Sequence, residues 1–355
     1  MTVFTRRARR GGTALAGLAV VALTAGACGT GADEAATDGK LTVVATTNVW
    51  AGVAQAVGGP NVSVESIIDD PAADPHSYES SPQDAAKVGE ADLVLLNGGG
   101  YDEFAEQILT GTGADKPTVQ AVEGGHEHAE EQAPGHDHDH GHEHEHEHEG
   151  DHAETPAGHS DDHAETPAGH SDEHAGHDHS TNEHVWYDLH VVRETADRVA
   201  EELGKIQPDQ AQVFRDNAAR FGEQIGGLEG RVEQIAAAER GKKVIVTEPV
   251  AHYLVEAAGL TDITPPSFVN SVEAGNDPSA AAVAEIQNAV NSRQAAAVIY
   301  NPQTESPVTE SVRKTAEQNQ TPVVEMTETL PQDQDYVQWM DGQISALQAA
   351  LSGRP

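Results

Sequence analysis

One cysteine, Cys28, is all that this 355-residue chain contains. No internal disulfide can form, so stability has to come from a packed core. Basic residues are also scarce: 20 Lys and Arg stand against 59 Asp and Glu, a net charge of −39. Nineteen of those carboxylates lie between Glu123 and Glu183, a stretch without Lys or Arg, and the rest of the chain still carries −20. Nothing basic clusters after the first ten residues, which excludes a nucleic-acid-binding protein. Long apolar runs are missing too. The run from about Ala14 to Leu23 is too short to span a bilayer. The length allows one large or two medium domains with a real core.

What is present begins with the N-terminus. Arg6-Arg7-Ala8-Arg9-Arg10, the short apolar run and Ala25-Gly26-Ala27 before Cys28 read as an export signal over residues 1–27. A lone Cys after small residues resembles a bacterial lipobox, with Ala25 where Leu is usual, and this implies a lipid anchor on Cys28. The two arginine pairs suggest twin-arginine export, but the residues expected after them are missing, so the export route stays open. Residues 28–39 are small, polar and acidic, as a tether should be, and the folded part starts near Lys40.

Strand and helix patterns alternate from there. Leu41–Thr46 is an apolar β-rich run, followed by a helical pattern to a Gly58-Gly59-Pro60 stop, a strand over Val62–Ile68, a short helix over Pro82–Glu90 and a buried strand over Asp92–Leu96. A second series follows: a strand at Lys243–Thr247, helices at Val250–Ala258 and Pro278–Asn291, a strand at Ala296–Tyr300, a helix at Val308–Gln318, a strand at Pro322–Met326 and a final helix at Tyr336–Leu351. Between them Phe214, Ala218, Phe221, Ile225, Leu228, Val232 and Ile235 recur at alternating four and three spacing, the signature of one long helix of about 45 Å. The predicted fold is α/β, with two lobes, each a mostly parallel sheet flanked by helices, joined by one long rigid helix. The lobes cover 40–122 with 184–207 and 239–355, and the linker helix 208–238.

The first lobe is interrupted at 123–183. Sixteen of the twenty histidines lie between His126 and His179, densest where His136, His138, His140, His142, His144, His146 and His148 alternate with Asp, Glu and one Gly. Imidazole and carboxylate together bind borderline divalent metals, so this is an accessory metal-collecting tract. It carries an exact tandem repeat, DHAETPAGHSD at 151–161 and 162–172. With almost no large apolar residues it cannot offset an ordering cost of about 1–2 kcal/mol per residue, and it reads as a disordered loop. Capture and transfer of ions is one role; a tolerated expansion without effect is the other.

Four further residues stand at strand ends or in the loops after them, where open α/β sheets bind ligands. They are His76 in DPHSYE, His184 in EHVW, Glu248 in VTEP and Glu305 in YNPQTE. Each alone is a common surface residue; their joint arrangement around the His tract is what singles them out.

From Leu41 to Leu351 the chain resembles the metal-specific (cluster A-I) substrate-binding lipoproteins of bacterial ABC importers for zinc and manganese. DPHSYE, the HVW at His184, NAARFGEQIGGLEGRV, TEPVAHYLVEAAGL and GNDPSAAAVAEIQNAV before AAVIYNPQTE carry the resemblance. It implies one metal in the cleft, held by His76 and His184 from the first lobe and Glu248 and Glu305 from the second. The third ligand is His in zinc-type and Glu in manganese-type members, and this chain has Glu248; His252, one helical turn away, is a possible substitute. The fourth is an acid after the last strand. Glu305 falls there without a gap, although Asn301 stands where members often have Glu. His190 reads as a surface residue.

Four protein ligands leave no room for an activated water, so binding is expected and an enzyme is not. Two carboxylates suit Mn2+ or Fe2+, whereas the His tract and the general affinity order favour Zn2+, which is the expected ion. The function that follows is a monomeric binding protein, lipid-anchored on the extracytoplasmic face of the bacterial cell membrane, delivering zinc to an ABC permease and its ATPase. The alternatives are a manganese or iron protein of the same family, and a His-rich storage or chaperone protein.

Overall fold

Side chains that alternate between two cores along each central strand organise the molecule. In this computed structural model, which describes residues 39–112, 116–122 and 182–353, Val43 and Ala45 face one core while Val44 between them faces another. Leu93 and Leu95 against Val94 and Leu96 repeat the two-residue period. Strands buried on both faces belong to parallel sheets covered by helices. The signal region, Cys28 and the His tract from 123 to 181 lie outside the described residues.

The first lobe runs β1 (Leu41–Thr47), α1 (Asn48–Gly58), β2 (Val62–Ile68), α2 (Pro82–Glu90), β3 (Leu93–Gly98), α3 (Glu103–Thr112) and β4 (Thr118–Val122). Its sheet order is β2-β1-β3-β4, all parallel. Then come α4 (Leu189–Ile206) and the 29-residue α5 (Ala211–Glu239). The second lobe runs β5 (Lys243–Val246), α6 (His252–Ala257), β6 (Thr261–Asp262), α7 (Pro266–Glu273), α8 (Ala280–Asn291), β7 (Ala297–Tyr300), α9 (Pro307–Gln318), β8 (Val323–Glu325) and α10 (Tyr336–Leu351). Its order, β6-β5-β7-β8, repeats the first, again all parallel. In each lobe the order reverses direction between the first and third strands. The carboxyl ends beside that switch are where such sheets open a ligand crevice.

Local chemistry sets the helix starts. Ser81 and Asp84 close a capping box on α2 with Pro82 in its first turn, Ser306 and Thr309 do so for α9 with Pro307, and Asp335 and Gln338 for α10. On α5 the seven residues of the heptad-like stripe are all buried. Three helices were not expected from the sequence: α3, α7 and, the longest of them, α4. Its buried Leu189, Val192, Ala196, Val199 and Leu203 keep the same spacing, but alanines thin the stripe and lower its contrast.

The lobes share an inner core. Trp50, Trp186, Phe214 and Trp339 belong to one cluster that includes Val246 and Ile299 of the second sheet as well as Leu93 of the first. Each lobe has its own outer core, around Val94 and Leu96 in one and Ile245 and Val298 in the other. Besides α5, the return segment after β8 ties the lobes together. Tyr187 Oη donates to Thr327 O (2.9 Å), Tyr336 Oη to Trp186 O (2.7 Å), and Leu330 N to Asn48 Oδ1 (2.8 Å). Thus α10, placed with the second lobe by sequence, also packs on α1 and α5. No helix among the described residues is long and apolar enough to cross a membrane.

Candidate metal centre

His76 sits in a short 3-10 turn, Pro75–Ser77, beyond β2, where Asp74 Oδ1 accepts from the His76 backbone N–H (3.0 Å) and sets the turn. Its Nδ1 lies 3.3 Å from Glu183 Oε1 and its Nε2 3.2 Å from Glu328 Oε2. His184 opens the turn Val185–Tyr187 and is 1% exposed. Its ring packs near Trp186 and the His76 ring, with centroids at 5.2 and 5.4 Å. His184 Nδ1 is 2.8 Å from Asn182 Oδ1, an acceptor. The proton is therefore assigned to Nδ1, leaving the Nε2 lone pair facing Glu328 Oε2 at 3.9 Å.

Glu328 is fully buried on the segment that returns from β8 to the first lobe. Tyr101 Oη donates to its Oε2 (2.9 Å) and Asn301 Nδ2 to its Oε1 (2.8 Å). Gln303 fixes the backbone there: Glu328 N donates to Gln303 Oε1 (2.6 Å), while Gln303 Nε2 donates to Ala73 O across the cleft (2.7 Å). Glu248, just after β5, is 4% exposed. Thr304 Oγ1 donates to its Oε2, and it is close enough to Glu328 for the charge of Glu328 to act on it.

Among the described residues, His76, His184 and Glu328 bring one ligand atom each within 4.8 Å of one another, as do Glu183, His184 and Glu273. Glu305, the expected fourth residue, does not join them. It accepts from Tyr300 Oη, lies 3.8 Å from Arg313 Nη2 and is 46% exposed. The correction is physical: Glu305 follows β7, whereas the last strand is β8, and the acid after β8 is Glu328. The signal was the acid-after-last-strand pattern, applied one strand too early. His252 is also outside the group, 54% exposed and 3.7 Å from Glu256 on its own helix. His190 is exposed at the start of α4 beside Glu194. The seven accessory histidines and Cys28 lie outside the described residues.

Burial opposes charge on His76, but the hydrogen bond and charge of Glu328, with Glu183 and Asp74, push its pKa up to about 10. Burial pushes His184 down to about 4, Glu328 opposing and His76 adding to the effect. Burial would raise Glu328, yet His76 outweighs it and holds that carboxyl below the usual range. Glu248 is raised by burial and by the charge of Glu328. Glu183 rises to about 7, chiefly through burial, against the pull of His76. A proton on His76 thus balances the Glu328 charge.

A divalent cation fits these donors. His184 Nε2 and Glu248 Oε1 are buried without any hydrogen-bond partner, a state that costs about 1–3 kcal/mol per group unless something else satisfies them. Nitrogen and oxygen donors of this kind suit zinc, manganese or iron.

Two parallel-sheet lobes that close a cleft on converging His and Glu side chains define the two-lobed binding-protein class. The chain belongs to the family of ZnuA, zinc-uptake complex component A, periplasmic, whose model matches residues 43–350. It is similar to the manganese-binding lipoprotein MntA of Bacillus subtilis, 25% identical over 240 residues, which is 67% of this chain and 64% of the relative. It is also similar to the zinc-binding lipoprotein AdcA of Streptococcus pneumoniae, 23% identical over 328 residues, 87% of this chain and 56% of the relative. The chain therefore spans only 64% and 56% of these two relatives. The periplasmic zinc-binding protein TroA of Treponema pallidum shares the fold, with a TM-score of 0.63 at 18% identity, covering 88% of this chain and 99% of that one.

Proposed function

We propose that this protein captures a divalent metal, zinc, in the cleft and delivers it to an ABC permease and its ATPase from a lipid anchor on the extracytoplasmic face of the membrane. The ligands are His76, His184, Glu248 and Glu328, and the protein is a binding protein, not an enzyme. The observation that carries the reading is a pair of buried donor atoms without a hydrogen-bond partner among the described residues: His184 Nε2, which converges with His76 and Glu328, and Glu248 Oε1, which lies outside that group but feels the charges of Glu328 and His76. Relatives named for manganese as well as zinc support a transported divalent ion. Zinc is favoured by the affinity order at mixed nitrogen and oxygen sites.

A second reading, manganese or ferrous iron, is favoured by the two carboxylates Glu248 and Glu328. Elemental analysis after dialysis against a competing chelator tests both, in the chain lacking residues 124–181, whose histidines would otherwise hold ions of their own. One retained zinc in that chain, lost in His184→Ala and in Glu328→Gln but kept in Glu305→Gln, is the expected result. Retained manganese in place of zinc selects the second reading, and a retained ion in every variant overturns the site.

A further inference from the structure

The two cleft carboxylates do not present both oxygens in the same way. Both Glu328 oxygens accept a hydrogen bond, but only Oε2, which accepts from Tyr101 Oη (2.9 Å), also faces His76 Nε2 (3.2 Å) and His184 Nε2 (3.9 Å); Oε1 is turned to the Asn301 amide (2.8 Å). On Glu248, Oε2 accepts from the Thr304 hydroxyl, and Oε1 is buried with no hydrogen bond of good geometry among the described residues, although the Asn301 amide is near enough to act on this carboxylate too. Asn301 is itself held: its N–H donates to Thr247 Oγ1 (3.3 Å) and its Oδ1 accepts from Gln303 N (3.0 Å). The amide is 1% exposed, so water does not compete for it. Asn301 and Thr304 are four and seven residues past the start of β7, in the loop at the switch point of the second sheet.

We infer that Asn301 and Thr304 are positioning residues that hold each cleft carboxylate to one-oxygen ligation and so bias the site toward a four-coordinate cation. The inference rests on reading the cleft as a divalent-metal site. Two imidazole nitrogens and two single oxygens supply four donors, the number zinc takes in closed protein sites. Manganese prefers more oxygen donors in a six-coordinate shell, and a carboxylate that swings both oxygens inward supplies one more donor each. Holding the second oxygen of each carboxylate on a buried donor withholds those extra ligands. The zinc preference proposed above, for a carboxylate-rich site that by donor type alone suits manganese, would follow from this arrangement.

The test compares Thr304→Val, Asn301→Ala and the conservative Thr304→Ser in the full-length protein. Zinc and manganese affinities are measured by chelator competition, X-ray absorption counts the donors at one equivalent of metal, and thermal unfolding without metal reports the fold. Thr304→Val and Asn301→Ala are expected to lower the zinc-over-manganese affinity ratio by about tenfold, the lower end of what outer partners of metal ligands contribute. The mean oxygen donor count should rise, and Thr304→Ser should keep the wild-type ratio. An unchanged ratio, or equal weakening for both ions without a change in donor count, overturns the inference. Failure of the underlying reading looks different: the wild type would then hold no ion that His184→Ala releases.

Discussion

Before any cation arrives, the charge at the site is carried by a proton on one residue. His76 lies between Glu183 and Glu328, and their charges with that of Asp74 outweigh burial to raise its pKa to about 10. A ligand nitrogen must be unprotonated, so an ion has to displace that proton. The sign follows: below the raised pKa, affinity grows as pH rises, and it levels off only on approaching it. Zinc affinity, measured by chelator competition, should therefore climb between about pH 6 and pH 8 with a slope of more than one proton per ion, because Glu248, raised to about 8 by burial and by the charge of Glu328, must give up a proton as well as His76. In Glu328→Gln the residual slope should be smaller, because the partner that raises His76 has gone. His184 contributes no such dependence in that range. Burial pushes it down to about 4, so it stays neutral there, its ring oriented by Asn182.

At the scale of elements, α5 is the member on which both lobes are built. Its apolar stripe meets α1 and α4 of the first lobe, α6 of the second and α10. Phe221 lies in the middle of that stripe, 3% exposed, with its ring centroid 6.0 Å from that of Tyr336. Removing a buried phenyl group leaves a cavity that neighbouring helices cannot collapse into. Phe221→Ala should destabilise the fold by about 3–5 kcal/mol in denaturant unfolding. A change below about 1 kcal/mol would mean that α5 is not the shared core this packing indicates. The stripe was fully legible in the sequence, because helical periodicity depends only on residues three and four apart. The same reasoning found β1, β2, β3, β5 and β7. It passed over α4, where alanines weaken the contrast, and over α3 and β4, which are short.

For the whole molecule, the cleft is held by side chains that reach across it. Asn182 Nδ2 donates to Pro249 O (2.8 Å), its carbonyl accepts from Tyr253 Oη (2.6 Å), and its Oδ1 accepts from both the backbone N–H and Nδ1 of His184. One amide thus orients His184 of the first lobe and fastens it to the second. Asn97 Nδ2 supports the same segment by donating to Glu183 O (2.9 Å). Gly98 has φ +76°, and a Cβ there would lie 2.3 Å from Val122 O, so only glycine lets β3 end this close to β4. Asn182→Ala should lower zinc affinity by about 10–100-fold while thermal unfolding stays cooperative. Unchanged affinity would show that His184 needs no such partner.

The sequence by itself determined the α/β class, the two lobes, the long helix between them and the candidates His76, His184 and Glu248. These depend on periodicity, on turn chemistry and on residues adjacent to strand ends, all of which are local. Only the tertiary structure decided which second carboxylate faces the histidines. Glu305 and Glu328 both follow strands of the second sheet, and although the last-strand pattern points to Glu328, nothing in the chain shows which of them reaches the histidines. The difference arises because the segment after β8 folds back under the first lobe. There Asn48, Gln303 and Tyr101, distant in sequence, bury Glu328 against His76, while Glu305 remains at the surface beside Arg313.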